Sequence, residues 1–370
     1  MSTKADRYEG IDGLKAYAII GIALMHVLAN GEYELGGFAF ERLIPSFTNL
    51  VFLFMMVSGF GMCCGYYQKI VDRKISVEEF YSKRYIKIWP YFALLCALDF
   101  VISPSKNSLY EVFANLTLCQ GLLPNANISV IGVSWTLAVI FVFYMLFPFF
   151  CFLLGNKKRA WMVAVAALMF NYVCAGYFFD KNHIAGFSPR TNIVYDAIYF
   201  IAGGLIFLYR KELADLSSKH KVVAGAVLLA ATVAYFVLGG STLTMLFFCV
   251  AALIYTLGCK VRGGVLVNPV AKFLGGICFE IYLCHMVIYR VLEKLHLTHL
   301  FGNGLLAYIF TAVAVICGSV VFSVCAKWFL NKIETLIVNR RVNHVRRKEI
   351  EWYGHRHLPL QRSLLHVQPL

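Results

Sequence analysis

Residues 13–30 read GLKAYAIIGIALMHVLAN, an apolar run interrupted by Lys15 near its start and His26 near its end. A run of about 17 to 25 mostly apolar residues is long enough to cross the hydrocarbon core of a bilayer as a helix. An ionisable side chain placed there costs several kcal/mol unless it faces protein or water. The stretch therefore reads as a membrane helix that turns its polar residues toward the inside of a bundle. At about 100° per residue, the eleven positions from Lys15 to His26 return to nearly the same face, about 16 Å farther along. Asp12, three residues before Lys15, falls close to that face. One stripe thus carries an acid, a base and an imidazole. At this point two readings stay open, with Lys15 either snorkelling to the interface or serving a site, and His26 either bonding a neighbouring helix or doing chemistry.

The rest of the chain matches this opening. Of its 370 residues, 60% are hydrophobic and only 15% are charged, against about 25% charged in ordinary globular proteins. Comparable apolar runs cover approximately 13–30, 47–66, 86–103, 132–154, 160–178, 192–209, 222–239, 242–258, 270–289 and 303–330. The expected fold class is all-α, a polytopic membrane helix bundle with about ten transmembrane helices. Residues 1–335 are expected to form one integral membrane domain and residues 336–370 a basic cytoplasmic tail. The opening MSTKADRYEGIDGL leads straight into a full-length span without a small-residue cleavage pattern, so the first helix is expected to remain.

Lysine and arginine alternate from break to break, and loops rich in them stay in the cytoplasm. Lys4 and Arg7, the breaks around 69–87, 157–159, 210–221 and 260–272, and the carboxy-terminal end hold most of them. The opposite breaks keep only Arg42, Lys106, Lys181, Arg190, Arg290 and Lys294. This pattern predicts a multi-pass protein of the plasma (inner) membrane with both termini cytoplasmic. The formal net charge of +14 is then mostly an inner-face property, which argues against a nucleic-acid partner. The tail HVRRKEIEWYGHRH, 344–357, suits anionic lipid headgroups, where each nearby Lys or Arg contributes about 1 kcal/mol. The twelve cysteines are scattered without a CxxC or a zinc-like Cys/His spacing, so they read as packing residues, with neither disulfide nor metal expected. No phosphate-binding glycine loop is present.

Four further stretches stand out. In EEFYSKRYIKIWPYF, 78–92, Arg84 and Lys87 share a helix face and Pro90 follows one turn later, where a bend is expected. On charge alone this is an ordinary basic cap; functionally it suits a phosphorylated ligand. In FLFMMVSGF, 52–60, Ser58 and Gly59 interrupt an apolar run and could be a simple packing notch. In VSWTLAVIFVFYMLFPFF, 133–150, Trp135 opens a span that Tyr144 and Pro148 punctuate. In GGICFEIYLCHMVIY, 275–289, Glu280 and His285 lie inside the ninth run, again implying a polar or protein-lined interior.

In this order the stretches resemble the membrane acyltransferase 3 family, and the resemblance covers nearly the whole chain. The family's opening DGLRxxAxxxVxxxH is matched by Asp12, Gly13, Leu14, Lys15 and His26, and its SGF element by Ser58, Gly59 and Phe60. RxxRIxPxY is matched by Arg84, Lys87, Ile88, Pro90 and, one place early, Tyr91. A tryptophan-led segment from Trp135 and a late YLxH element with Tyr282, Leu283 and His285 complete the series. Each motif is weak alone, whereas five in order are specific.

The resemblance implies transfer of an acyl group, usually acetyl, from cytoplasmic acyl-CoA to a hydroxyl of a glycan across the membrane. It implies acyl-CoA, in the simplest case acetyl-CoA, as donor substrate, no metal, and membrane lipid and a glycan acceptor as partners. Arg84 and Lys87 would hold the coenzyme A phosphates, and His26 would be the catalytic residue, as base or as transient acyl carrier. Asp12, Lys15, Ser58, Trp135, Glu280 and His285 are the candidate supporting residues. The chain departs from the pattern at Lys15 and Lys87, where the family more often has arginine, and at Ile140, where many polysaccharide-modifying members carry an acid. A glycan transporter or flippase would also have about ten helices and intramembrane charges, but it would need no acyl donor.

Overall fold

The computed structural model describes residues 8–122, 130–173, 176–177, 189–259 and 264–354, with side chains as far as residue 336. Among the described residues each of the ten apolar runs falls on helix, the run 270–289 on two helices meeting at a bend, and no strand occurs. In chain order the principal helices are α1 (Gly10–Asn30), α2 (Val51–Met62), α3 (Val77–Ile102), α4 (Lys106–Leu116), α5 (Ser134–Leu154), α6 (Lys157–Val173) and α7 (Ile193–Leu208). They continue with α8 (Arg210–Lys219), α9 (Lys221–Thr232), α10 (Thr242–Gly258), α11 (Pro269–Gly276), α12 (Cys278–Lys294) and α13 (Leu305–Gly354).

Among the described residues, five helical stretches are long and apolar enough to cross a membrane: Gly10–Asn30, Ala39–Val71, Val77–Ile102, Ser134–Leu154 and Leu305–Leu336. Counting each bent pair, α7 with α8 and α11 with α12, as one span raises the number to seven, and Lys221–Val237 and Thr242–Gly258 are apolar but shorter. The fold is an all-α membrane helix bundle. By contacts the chain falls into two units, 1–324 and 325–370, and the site described below lies in the first. The basic tail's side chains beyond 336, all of 355–370, and Lys4, Arg7 and Lys181 lie outside the described residues.

Two boundaries differ from the sequence expectation for identifiable reasons. Helix α3 starts at Val77, well before the apolar run at 86, because the Ser76 side chain accepts a hydrogen bond from the Glu79 amide and caps the helix there. Arg84 and Lys87 consequently stand two turns inside the helix, and Pro90 lies within its continuous length. The run 270–289, read as one span, is instead two helices bent by 72°. Its first half is pulled against α1. A Cβ at Gly275 would lie 2.0 Å from the Asp12 carbonyl oxygen, and one at Gly13 would lie 2.2 Å from the Leu266 carbonyl oxygen. Only glycine permits such an approach, the small-residue contact by which membrane helices pack.

The same device sets the crossing of α2 and α7. A Cβ at Gly59 would meet the Phe200 carbonyl oxygen at 2.5 Å, and one at Gly203 would meet the Met56 carbonyl oxygen at 2.2 Å. Phe52 stacks on Tyr199 across this contact, with ring centroids 4.5 Å apart. Gly59 of the SGF stretch is therefore a packing notch, which leaves its neighbour Ser58 free to face elsewhere. Gly203→Ala is expected to destabilise the detergent-solubilised protein by about 1–3 kcal/mol through overpacking, lowering its midpoint of thermal unfolding. Gly61→Ala, where an added Cβ meets nothing within 4 Å, should leave that midpoint unchanged or raise it slightly.

Candidate functional site

The glycine contacts hold the start of α1 against α11, so the first polar residues of α1 open onto the interior between α2, α3, α5 and α12. Lys15 makes an ion pair with Asp12 at 2.8 Å, and its side chain remains partly exposed toward a cavity of about 200 Å³. The same cavity is lined by Ser58, Arg84, Lys87, Tyr144 and Tyr282. Lys15, Ser58 and the pair Arg84 and Lys87, drawn from three stretches of sequence, thus line one cavity. Asp12 stands behind Lys15; His26, Trp135, Glu280 and His285 are not on the wall.

Arg84 is held flat and directed. Its guanidinium stacks over the Tyr66 ring at 4.6 Å and lies 5.9 Å from the Tyr144 ring, with Nη2 donating to the Tyr66 hydroxyl. Its Nε is buried and has no partner among the described residues. Ser58 Oγ and the Tyr144 hydroxyl share a hydrogen bond of 2.9 Å beside it. The remaining wall is apolar, including Phe54, Leu137 and Ile140. Such a cavity, cationic at one end and otherwise greasy, suits a ligand with an anionic head and a less polar arm.

At the far wall, the Tyr282 hydroxyl hydrogen-bonds Thr136 Oγ1 at 2.8 Å and the Val133 carbonyl oxygen at 3.2 Å. This ties α12 to the first turn of α5. One turn on, fully buried His285 directs Nδ1 at the carbonyl oxygens of Tyr282, 2.6 Å, and Ile281, 3.3 Å. Carbonyl oxygens only accept, so Nδ1 carries the proton. Nε2 is then an acceptor, buried and without a partner among the described residues. The ring of His26 faces this imidazole, with centroids 5.2 Å apart and planes tilted by 47°. The sequence placed the two histidines in different motifs; the fold makes them neighbours. Glu280, in the first turn of α12, contributes its backbone carbonyl to the Tyr91 hydroxyl at 3.1 Å. Trp135, half-buried at the start of α5, lies under the Arg190 guanidinium at 5.5 Å.

A family model described as an acyltransferase domain matches residues 8–324, nearly the whole chain. The chain belongs to the acyltransferase 3 family. It is an acyltransferase, and the transport alternative loses its footing. No curated protein and no solved structure matches it.

For an acyltransferase the site contains more than the motifs announced. Tyr66, which carries the Arg84 side chain, lies in a π-helical turn, Cys63–Tyr67, that no periodicity marks. Thr136 was hidden beside the more conspicuous Trp135. Arg190 had one usable signal, since a cation on the sparsely charged face immediately before a span is unusual under the positive-inside rule. The fixed geometry of His285 is open to measurement. Nitrogen-15 spectra of histidine-labelled acyltransferase, assigned with a His285→Asn variant, should show His285 as the neutral Nδ1–H tautomer at neutral pH. A dominant Nε2–H signal would contradict the hydrogen bonding described.

Proposed function

We propose that this acyltransferase moves an acyl group, acetyl in the simplest case, from cytoplasmic acyl-CoA to a hydroxyl of a glycan beyond the plasma membrane. The observation that supports this reading most is the shared cavity, with Lys15, Arg84 and Lys87 at one end and Tyr282, next to the histidine pair, at the other. Phosphates of the donor would bind at the cationic end. That end faces the cytoplasm if the excess of Lys and Arg in alternate breaks is read by the positive-inside rule. Both termini then lie inside. The apolar walls would take the pantetheine arm and direct its thioester toward Tyr282.

In the reaction, His26 acts as general base and accepts the proton of the acceptor hydroxyl. The hydroxyl oxygen bonds to the thioester carbonyl carbon, the carbon–sulfur bond breaks, and the proton returns to the departing thiolate. The products are an ester and free coenzyme A thiol. His285, locked by its Nδ1 hydrogen bond, positions the His26 ring. Asp12 holds Lys15 in place, Ser58 and Tyr144 fix the wall beside Arg84, and Trp135 faces the acceptor side. Lysine at 15 and 87 keeps the charge that attracts phosphate without the paired geometry of arginine. Ile140 stands on the cavity wall, so either Glu280 or His285 takes the role of an acid at that position or the protein serves another acceptor.

Binding of acetyl-CoA to the purified protein should weaken by about 10- to 100-fold in Arg84→Ala and in Lys87→Ala, the loss of one charge-assisted hydrogen bond each. It should also weaken with added salt in the wild type. A folded wild type that binds no acetyl-CoA would overturn the proposal. His26→Ala should keep donor binding and lose transfer; turnover persisting in that variant would remove His26 from the mechanism.

A further inference from the structure

A second cavity, of about 260 Å³, shares no lining residue with the first. It lies toward the end of the bundle where α10 begins. A Cβ at Gly10, where α1 begins, would lie 2.8 Å from the Thr256 carbonyl oxygen near the end of α10, so the start of α10, which lines this cavity, is the far end. Its walls carry Asn49, Arg190, Tyr195, Tyr199, Tyr235 and Thr242. Phe52, stacked on Tyr199, adds an aromatic face.

These groups are pre-positioned and incompletely satisfied. Asn49 Nδ2 donates to the Tyr235 hydroxyl, and the Tyr195 and Thr242 hydroxyls lie 3.3 Å apart. The Tyr199 hydroxyl is buried and has no partner among the described residues. One turn before it, both carboxylate oxygens of fully buried Asp196 are also without one. Arg190 is anchored, donating from Nη1 to Thr48 Oγ1 at 2.8 Å while covering the Trp135 ring. Through Trp135 and Thr136, adjacent in the first turn of α5, the cavity is mechanically joined to the Tyr282–His285 cluster.

Hydroxyls that both donate and accept, an amide and aromatic faces fit a polyhydroxylated ring rather than a lipid tail. The volume, 260 Å³, falls just below the roughly 300–1,000 Å³ of pockets for drug-sized ligands. It matches one ring, not a chain of them. We infer that this cavity receives a single sugar residue of the acceptor, held by Asn49, Tyr199, Tyr235 and Thr242 and oriented by Arg190 on Trp135. That the sugar is the acceptor rests on the proposed acyl transfer; that a sugar binds does not. The selecting groups are thus at helix ends inside the bundle.

Saturation-transfer NMR tests this with methyl glucoside, galactoside, rhamnoside and N-acetylglucosaminide as probes. The protein is held in an amphipol, because glucoside and maltoside detergents carry the same chemistry. At least one probe should receive saturation from the wild type. Tyr199→Phe and Thr242→Val, each close to isosteric, should weaken its binding by about fivefold or more, the loss of one neutral hydrogen bond. Neither should alter acetyl-CoA affinity or the thermal midpoint. Arg84→Ala should show the reverse pattern, with sugar binding kept and donor binding weakened. No transfer to any probe, or transfer that both variants leave intact, overturns the inference. Sugar binding that responds to Tyr199→Phe in a wild type unable to bind acetyl-CoA upholds the cavity and overturns the acyl-transfer reading.

Discussion

The ion pair between Lys15 and Asp12 is the interaction on which the rest of the interior depends. In a bundle this apolar, removing one partner of a buried pair leaves an uncompensated charge, at a cost of about 3–5 kcal/mol when burial is complete. Lys15 is partly open to the cavity, which lessens that cost, whereas Asp12 is only 7% exposed. The chain secures the pair by packing backbone against backbone. Gly13 and Gly275 bring the α1 backbone at Asp12 and Gly13 into close contact with the 266–276 segment.

From that fixed point two polar regions diverge along the bundle. The cation-lined cavity takes its walls from α1, α2, α3, α5 and α12, and the tyrosine-lined cavity takes its walls from the start of α2 and the amino-terminal halves of α7 and α10. Tyr282, beside the histidine pair, bonds Thr136 of the first cavity, while Trp135 lies under Arg190 of the second. Residues 135 and 136 point in directions about 100° apart on a helix. A single turn of α5 can therefore serve both regions, which explains why a tryptophan-led segment accompanies a histidine pair drawn from distant helices.

Much of this was legible. Composition and run length alone require a helical membrane bundle, because a bilayer core tolerates only backbones that satisfy their own hydrogen bonds. Arg84 and Lys87 were visible as a shared face, and Lys15 and His26 as one stripe, since both inferences need only helical geometry. The bend between α11 and α12 was not read, because the run 270–289 is long enough for one span; its one local sign is the Gly275–Gly276 pair beside the break, and Gly275 is also where α11 meets α1. The extension of α3 back to Val77 was hidden for the opposite reason: a polar stretch stays helical once Ser76 caps it.

The sequence by itself determined the helical class, the residues that carry charge into the bundle, and the family, because each follows from local pattern and ordered motifs. Only the tertiary structure decided that His26 faces His285, that Tyr66 carries Arg84, and that Arg190 rests on Trp135 beside a ring-sized polar cavity. Those pairings join residues up to 259 positions apart. They are fixed by where glycine lets one helix touch another, a relation between helices that no single helix contains.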